Sequence, residues 1–253
     1  MLNRLTIGFL LCSINSFAQI SSPGISDANM AFWSAIGVSQ KISDRWNVSL
    51  YTGNSRQSDP DNISLFKKQA IFVINEETTF NFNKTFSVSA CASYRVQNLY
   101  ADEEPFGPAV PATKNEERYY LRFYYREQIG KTKLKFSFRP ELRRFSSEGH
   151  HPWNPVDEEV RLRLKGQASF PLGNGSNELI LSNEILAATD RVKVVEAEQW
   201  SDYAITEDRL ATFYRHVFSN VTADIGVMHQ IMHDGEYRAH IAFDLILMNP
   251  FSY

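Results

Sequence analysis

The chain has 253 residues, enough for one large domain or two small ones. Its 26 Lys and Arg stand against 29 Asp and Glu, a formal net charge of −3, which excludes the strongly basic profile of a nucleic-acid binder. Aromatic residues make up 13% of the sequence, most of them Tyr and Phe.

Residues 1–18 read as a secretion signal. Arg4 gives a short positive start, Leu5 to Ile14 an apolar run, and Ser16-Phe17-Ala18 the small residues that signal peptidase reads, with cleavage before Gln19. Cys12 lacks the small preceding residue of a lipoprotein signal. The remaining chain, 19–253, is read as one domain with Cys91 its only cysteine, so no internal disulfide is available. No later stretch has 18 uninterrupted apolar residues, so a membrane-spanning helix is not expected. Barrel strands need only about ten alternating residues each and stay open as a possibility.

Alternation runs through nearly all of that domain. Phe32, Ser34, Ile36 and Val38 alternate with Trp33, Ala35, Gly37 and Ser39, and Trp46, Val48 and Leu50 repeat the pattern. Gln69 to Phe80 reads as a strand. Phe86 to Gln97 is the cleanest, with Phe86, Val88, Ala90, Ala92, Tyr94 and Val96 opposing Ser87, Ser89, Cys91, Ser93, Arg95 and Gln97. A long loop, Asn98 to Glu116, follows; its three prolines argue against strand pairing. Arg118 to Arg143 then reads as a hairpin. Arg118, Tyr120, Arg122, Tyr124 and Arg126 share one face of its first arm; Lys135, Ser137, Arg139, Glu141 and Arg143 share one face of its second.

A second loop, Ser146 to Asp157, holds His150-His151-Pro152-Trp153. The next strand sets Val160, Leu162 and Leu164 against Glu159, Arg161, Arg163 and Lys165. Glu178 to Thr189 carries Ser182 and Glu184 on its polar parity, and a third long loop, Asp190 to Thr206, follows it. Arg209 to Val217, Val221 to Ile231 and Tyr237 to Met248 complete eleven strands. Short and long connections alternate along the series, as in outer-membrane barrels, where short turns face the periplasm. The expected fold is therefore all-β: a single antiparallel up-and-down transmembrane barrel of 10–12 strands, an even count being the rule for bacterial barrels. Eleven leaves either Ile20 to Asn29 as an extra strand or interior segment, or one assignment wrong. Trp33, Trp46, Tyr94, Tyr119 and Phe170 fall near strand ends, where interfacial aromatic girdles lie.

Several features resemble the bacterial domain-of-unknown-function family 2490. They are W-x-x-x-G-V-x-Q-K-I-S-D-R-W (Trp33 to Trp46), R-Y-Y-L-R-F-Y-Y-R, the Glu184 strand and E-D-R-L at Glu207 to Leu210. The resemblance implies an outer-membrane β-barrel of Bacteroidota-like Gram-negative bacteria with no established activity.

The candidate lumen-lining residues are Arg95, Arg118, Arg122, Arg126, Arg139, Glu141, Arg143, Arg161, Arg163, Glu184 and Arg209. Serial arginines could form an anion-selective interior or an acidic-ligand site. Alternatively they could pair with Glu141, Glu159, Glu178, Glu184 and Asp224 and plug the barrel. The histidines do not gather at metal-ligand spacing: a separation of four on a strand is about 13 Å. No G-x-S-x-G nucleophile motif and no cofactor motif is present. The sequence thus points to a porin-like or structural outer-membrane protein whose partners are membrane lipids and, during biogenesis, the barrel-assembly machinery. A barrel enzyme acting on lipid or envelope glycan, and a secreted soluble β-sandwich binding module, are the alternatives. The sequence does not identify a small-molecule ligand.

Overall fold

The computed structural model describes residues 25, 28–147, 157–173, 175–194 and 197–251. The proposed signal segment and His150-His151-Pro152-Trp153 lie outside them. The strands are β1 (Met30–Lys41), β2 (Trp46–Gln57), β3 (Lys68–Asn81), β4 (Phe86–Tyr100), β5 (Pro108–Ile129), β6 (Thr132–Ser147), β7 (Asp157–Leu172), β8 (Asn177–Val194), β9 (Ala197–Trp200), β10 (Ala204–Val217), β11 (Val221–Met232) and β12 (Tyr237–Met248). All but β9 form one closed barrel. Sequential neighbours pair antiparallel, β8 pairs with β10, and β12 returns to β1.

That last pairing corrects the expected all-antiparallel closure. Eleven staves cannot alternate all the way around a circle, so one seam must be parallel. It is β1 with β12, from Met30↔Ala239 to Ser39↔Met248. No strand precedes β1 among the described residues. Ile25 and Ala28 instead pack as a buried apolar cluster with Ala31, Ala70 and Ile71. Arg238 Nη1 donates to the Ile25 carbonyl at 3.0 Å.

Two of the predicted long loops are partly strand. β4 runs on to Tyr100 and β5 starts at Pro108, so their hairpin narrows to residues 101–107. Proline is tolerated there because Pro108 opens its strand and residues 108–113 make only sparse pairing, beside a register shift between Asn98 and Tyr100. Pro140 lies inside β6 opposite Leu162. β5 and β6 have no register pair between Tyr120↔Glu141 and Phe123↔Phe138, where proline withholds its donor. The loop assigned to Asp190–Thr206 contains an extension of β8 paired with β9, from Arg191↔Trp200 to Val194↔Ala197.

Side chains alternate between the two sides of the wall, with register shifts at Ser55/Arg56 and Ile205/Glu207. The outer face is apolar and open: Ile36, Leu50, Ile74, Leu121, Leu164 and Ile225 are each 45–59% exposed. A continuous band of that kind is the lipid-facing surface of a transmembrane barrel. Trp46, Phe80 and Phe82 meet in series at the short-turn end, tilted and then edge to face, with ring centroids 4.9 and 5.0 Å apart, and Phe86 meets Tyr125 at 5.2 Å. Trp46, Tyr94, Tyr119 and Phe170 all face outward. Trp33 does not: it is fully buried and points into the lumen. Odd parity in β1 is the inner face, so its position near the strand start misleads. Trp33 packs with Val73, Ile180, Phe213, Met228 and Ala242, filling the side of the lumen formed by β1, β3, β8 and β10–β12. Gly53 makes room for it: a Cβ there would meet Trp33 Cζ2 at 2.5 Å.

Candidate functional site: the charged lumen

Another part of the lumen is built from charge. Period-two geometry turns Glu116 and Arg118 of β5, Glu141 and Arg143 of β6, and Glu159, Arg161 and Arg163 of β7 inward. Glu184 of β8 and Glu207 and Arg209 of β10 join them. These ten side chains close into a ring in which every arginine lies between two glutamates. From Glu116 the contacts run to Arg143 (2.7 Å), Glu159 (2.5 Å), Arg161 (2.8 Å), Glu207 (3.8 Å) and Arg209 (2.5 Å). They return through Glu184 (3.7 Å), Arg163 (2.7 Å), Glu141 (3.7 Å), Arg118 (3.1 Å) and back to Glu116 (2.6 Å).

Arg161 reaches Glu207 over β8 because Ala188, the residue opposite it, leaves space. Arg163 grips Glu184 bidentately, Nε at 3.0 Å and Nη2 at 2.7 Å. Glu141 meets its arginines as ion pairs rather than aligned hydrogen bonds. Burial is nearly complete; Glu141 and Arg209 are each 2% exposed.

Two further candidates hang from the ring. Arg95 approaches Glu116 at 3.7 Å and donates to Gln97 at 2.8 Å. Arg139 contacts Glu141 at 2.6 Å and lies over the Tyr120 ring at 3.4 Å. Arg122 stands beside the ring and pairs with Glu77 at 3.1 Å, while the Tyr124 hydroxyl donates to the same carboxylate at 2.8 Å. Arg126 is not brought into the ring. It lies nearer the short turns, where it donates to Ser87 Oγ at 2.7 Å. Ring burial of this kind contributes little net stability against an apolar filling, but removal of a single member exposes the others to the full cost of an unpaired interior charge.

Sequence reasoning missed four members of this constellation. Glu207 precedes Arg209, the residue at which the sequence reading starts that strand, and shares its inner parity. Glu116 was placed in a loop, although it shares the parity of Arg118 and Tyr120 and continuing the alternation backwards would have found it. Glu77 shares the inner parity of Val73, Asn75 and Thr79 in β3. Arg215 shares that of Arg209 and Phe213, and it pairs with Asp224 through Nε at 2.7 Å and Nη2 at 2.5 Å.

The histidines scatter. His240 is buried against Gln230 (3.0 Å), which donates in turn to Glu207 (2.9 Å). His216 contacts Asn177 at 2.5 Å, and His229 faces outward against Tyr237. Among the described residues no three His, Cys, Asp or Glu side chains gather where they could hold a metal. The outer face also carries carboxylates. Glu76 accepts from Thr78 Oγ1 at 2.5 Å, and Asp208 accepts from Asn183 Nδ2 at 2.6 Å.

Three solved structures align with this chain at low identity. LpxR from Salmonella typhimurium aligns with 9% identity and a TM-score of 0.45, covering 80% of this chain and 83% of that one. The outer membrane transporter YddB from Escherichia coli aligns at 12% identity and TM-score 0.36 over 82% of this chain. The ferric enterobactin receptor PfeA of Pseudomonas aeruginosa, as a mutant, aligns at 10% and 0.34 over 83%. The chain spans only 34% and 38% of those two larger proteins. No curated relative matches the sequence. The family model described as "Protein of unknown function (DUF2490)" matches residues 30–239, from the start of β1 into β12, and the chain therefore belongs to that family.

Proposed function

We propose that this protein is an outer-membrane barrel of structural character whose lumen is closed to ion flow. The observation that carries this reading is the ring of alternating arginine and glutamate, buried in the lumen together with the apolar cluster of Trp33 and Phe213. A porin interior leaves its charges in water; here the arginines face carboxylates at 2.5–3.9 Å. The apolar outer band and the signal-like start of the sequence support an outer-membrane location. On this reading the partners are membrane lipids along the band and the assembly machinery during insertion. The short turns face the periplasm.

Planar-bilayer recording tests the reading. The purified barrel is expected to insert without conductance steps, while stable ohmic steps from the wild-type protein would refute a closed lumen. Heat-modifiable gel mobility and retention in the detergent-extracted membrane fraction are the accompanying expectations.

A further inference from the structure

Outside the lumen, the short turns on one arc of the barrel share a chemistry of their own. Residues 42–45 join β1 to β2, 82–85 join β3 to β4 and 130–131 join β5 to β6, so three turns stand side by side over six consecutive strands. Backbone bonds tie them together: Asn81 N donates to the Arg45 carbonyl at 2.8 Å, and Arg126 N donates to that of Thr85 at 2.8 Å. Each turn is also fixed internally. Ser43 Oγ accepts from Trp46 N at 3.2 Å, Asn83 Oδ1 accepts from Phe86 N at 2.8 Å, and Gly130 takes a φ of 60°.

This arc is basic. Lys41, Arg45, Lys84, Lys131 and Lys133 are exposed there, against the exposed carboxylates of Asp44 and Glu127. Lys41 is held by Asp44 at 2.7 Å, and Lys133 turns inward to Glu178 at 2.7 Å. Arg45, Lys84 and Lys131 form an exposed positive row, one cation to each turn. The remaining short turns, 173–176 and 218–220, contain no charged residue. At the opposite rim the sign reverses: residues 98–107 carry Asp102, Glu103 and Glu104 and no cation.

The aromatic part of the outer wall lies directly beside the row. Next to the Trp46–Phe80–Phe82 series, Phe86, Tyr125 and Phe136 make a second one, with centroids 5.2 and 6.3 Å apart. Aromatic rings at the edge of an apolar band settle at the level of the lipid head groups. Arg45 adjoins Trp46, and Lys84 lies two residues from both Phe82 and Phe86, so these cations stand at the height of the phosphates. A zwitterionic head group brings its own ammonium to such a row. An anionic head group brings none, and each basic residue near the surface then adds to the attraction.

We propose that this arc binds anionic glycerophospholipid, with Arg45, Lys84 and Lys131 on the head groups and the two aromatic series against the upper part of the chains. The continuity of the row with the lipid-facing band favours a lipid over an acidic protein segment. The proposal rests on the membrane reading above, in which the leaflet concerned is the periplasmic one, and not on whether the lumen is closed.

Quenching of Trp46 by brominated lipid tests it. The full chain carrying Trp153→Phe and Trp200→Phe keeps Trp46 on the outer wall and Trp33 inside the lumen. It is reconstituted in bilayers mixing phosphatidylcholine with phosphatidylglycerol, with bromine on the chains of one lipid or the other. At low salt, brominated phosphatidylglycerol is expected to quench Trp46 with a relative binding constant about threefold or more above that of brominated phosphatidylcholine. In ~1 M salt the preference should vanish. Arg45→Gln/Lys84→Gln/Lys131→Gln should abolish it, while Arg45→Lys/Lys84→Arg/Lys131→Arg, which keeps the charges, should retain it. Lys84→Gln alone covers the case in which the triple variant fails to fold, and should lower the preference. Equal quenching by both lipids, or an unchanged preference in either folded neutral variant, would overturn the proposal. Equal quenching together with tight binding of soluble polyglutamate would assign the arc to an acidic protein segment instead. Quenching by neither lipid has a separate meaning: the wall does not face a bilayer, and the membrane reading falls with the proposal.

Discussion

Glu141 is the most connected anion of the lumen, and its neutralisation is the sharpest test of the ring. Glu141→Gln keeps the shape and removes the charge. Four arginines lie within ion-pair distance of that carboxylate: Arg139 at 2.6 Å, Arg118 at 3.1 Å, Arg163 at 3.7 Å and Arg143 at 3.9 Å. Three of them keep a second carboxylate, Glu116, Glu159 or Glu184, which limits the loss. Breaking one side of a buried pair costs about 3–5 kcal/mol, and the retained contacts place this variant near the lower end. For a chain of this size that corresponds to a drop in melting temperature on the order of 10 °C.

The assay is loss of the heat-shifted folded band in detergent as temperature rises. Glu117→Gln is the control: Glu117 faces outward, 4.0 Å from Arg144 and 23% exposed, and such pairs contribute about 1 kcal/mol or less. Arg139→Gln combined with Glu141→Gln should recover part of the loss, because both charges leave together. If Glu141→Gln melts together with Glu117→Gln, the ring is not a coupled unit and the reasoning fails.

Gly53→Ala should destabilise the barrel by about 1–3 kcal/mol, because its methyl would collide with the fully buried Trp33 indole. A shift in tryptophan emission alongside the lower melting point would locate the damage; an unshifted spectrum at wild-type stability would count against the packing described. At the long-loop end, Asp59 is held well below the usual carboxylate range by hydrogen bonds from Lys67 and Lys68, the latter at 2.5 Å. Its lowered pKa means that the stabilisation is complete above its unfolded value near ~4 and is lost as pH falls through the lower folded value. Proteolysis within residues 58–67 should therefore accelerate only in strong acid in the wild type, while Asp59→Asn should be susceptible already at neutral pH.

Much of this fold could be read in the chain because the physics that sets it is local. Side-chain parity along Phe86–Gln97 and Arg118–Arg126 depends only on the strand period, and it assigned the inner faces without knowledge of any partner. Strand direction at the seam is not local. Nothing in the residues of β1 records that its second neighbour runs parallel; only the odd strand count hinted at it. The prolines at 108 and 111 carry real information about pairing, but the end of a long hairpin has unpaired positions to spare. That error removed Glu116 from view and with it the residue that joins Arg95, Arg118 and Arg143. The ring itself was half visible. Serial arginines announced an interior of charge, whereas which glutamate meets which arginine depends on register and on gaps such as the one at Ala188.

The parallel seam has a consequence for how the two ends of the polypeptide relate to the bilayer. Where strand number is even, first and last strands run oppositely, both ends leave on one side, and a few residues could splice them. Here Met30 and Met248 mark opposite rims, since β1 and β12 point the same way over their shared length. A splice between them would have to travel the height of the wall, a dozen residues at ~3.3 Å each. Circular permutation with a short linker is therefore closed to this barrel. Labels placed beyond its two terminal strands report from opposite faces of the membrane.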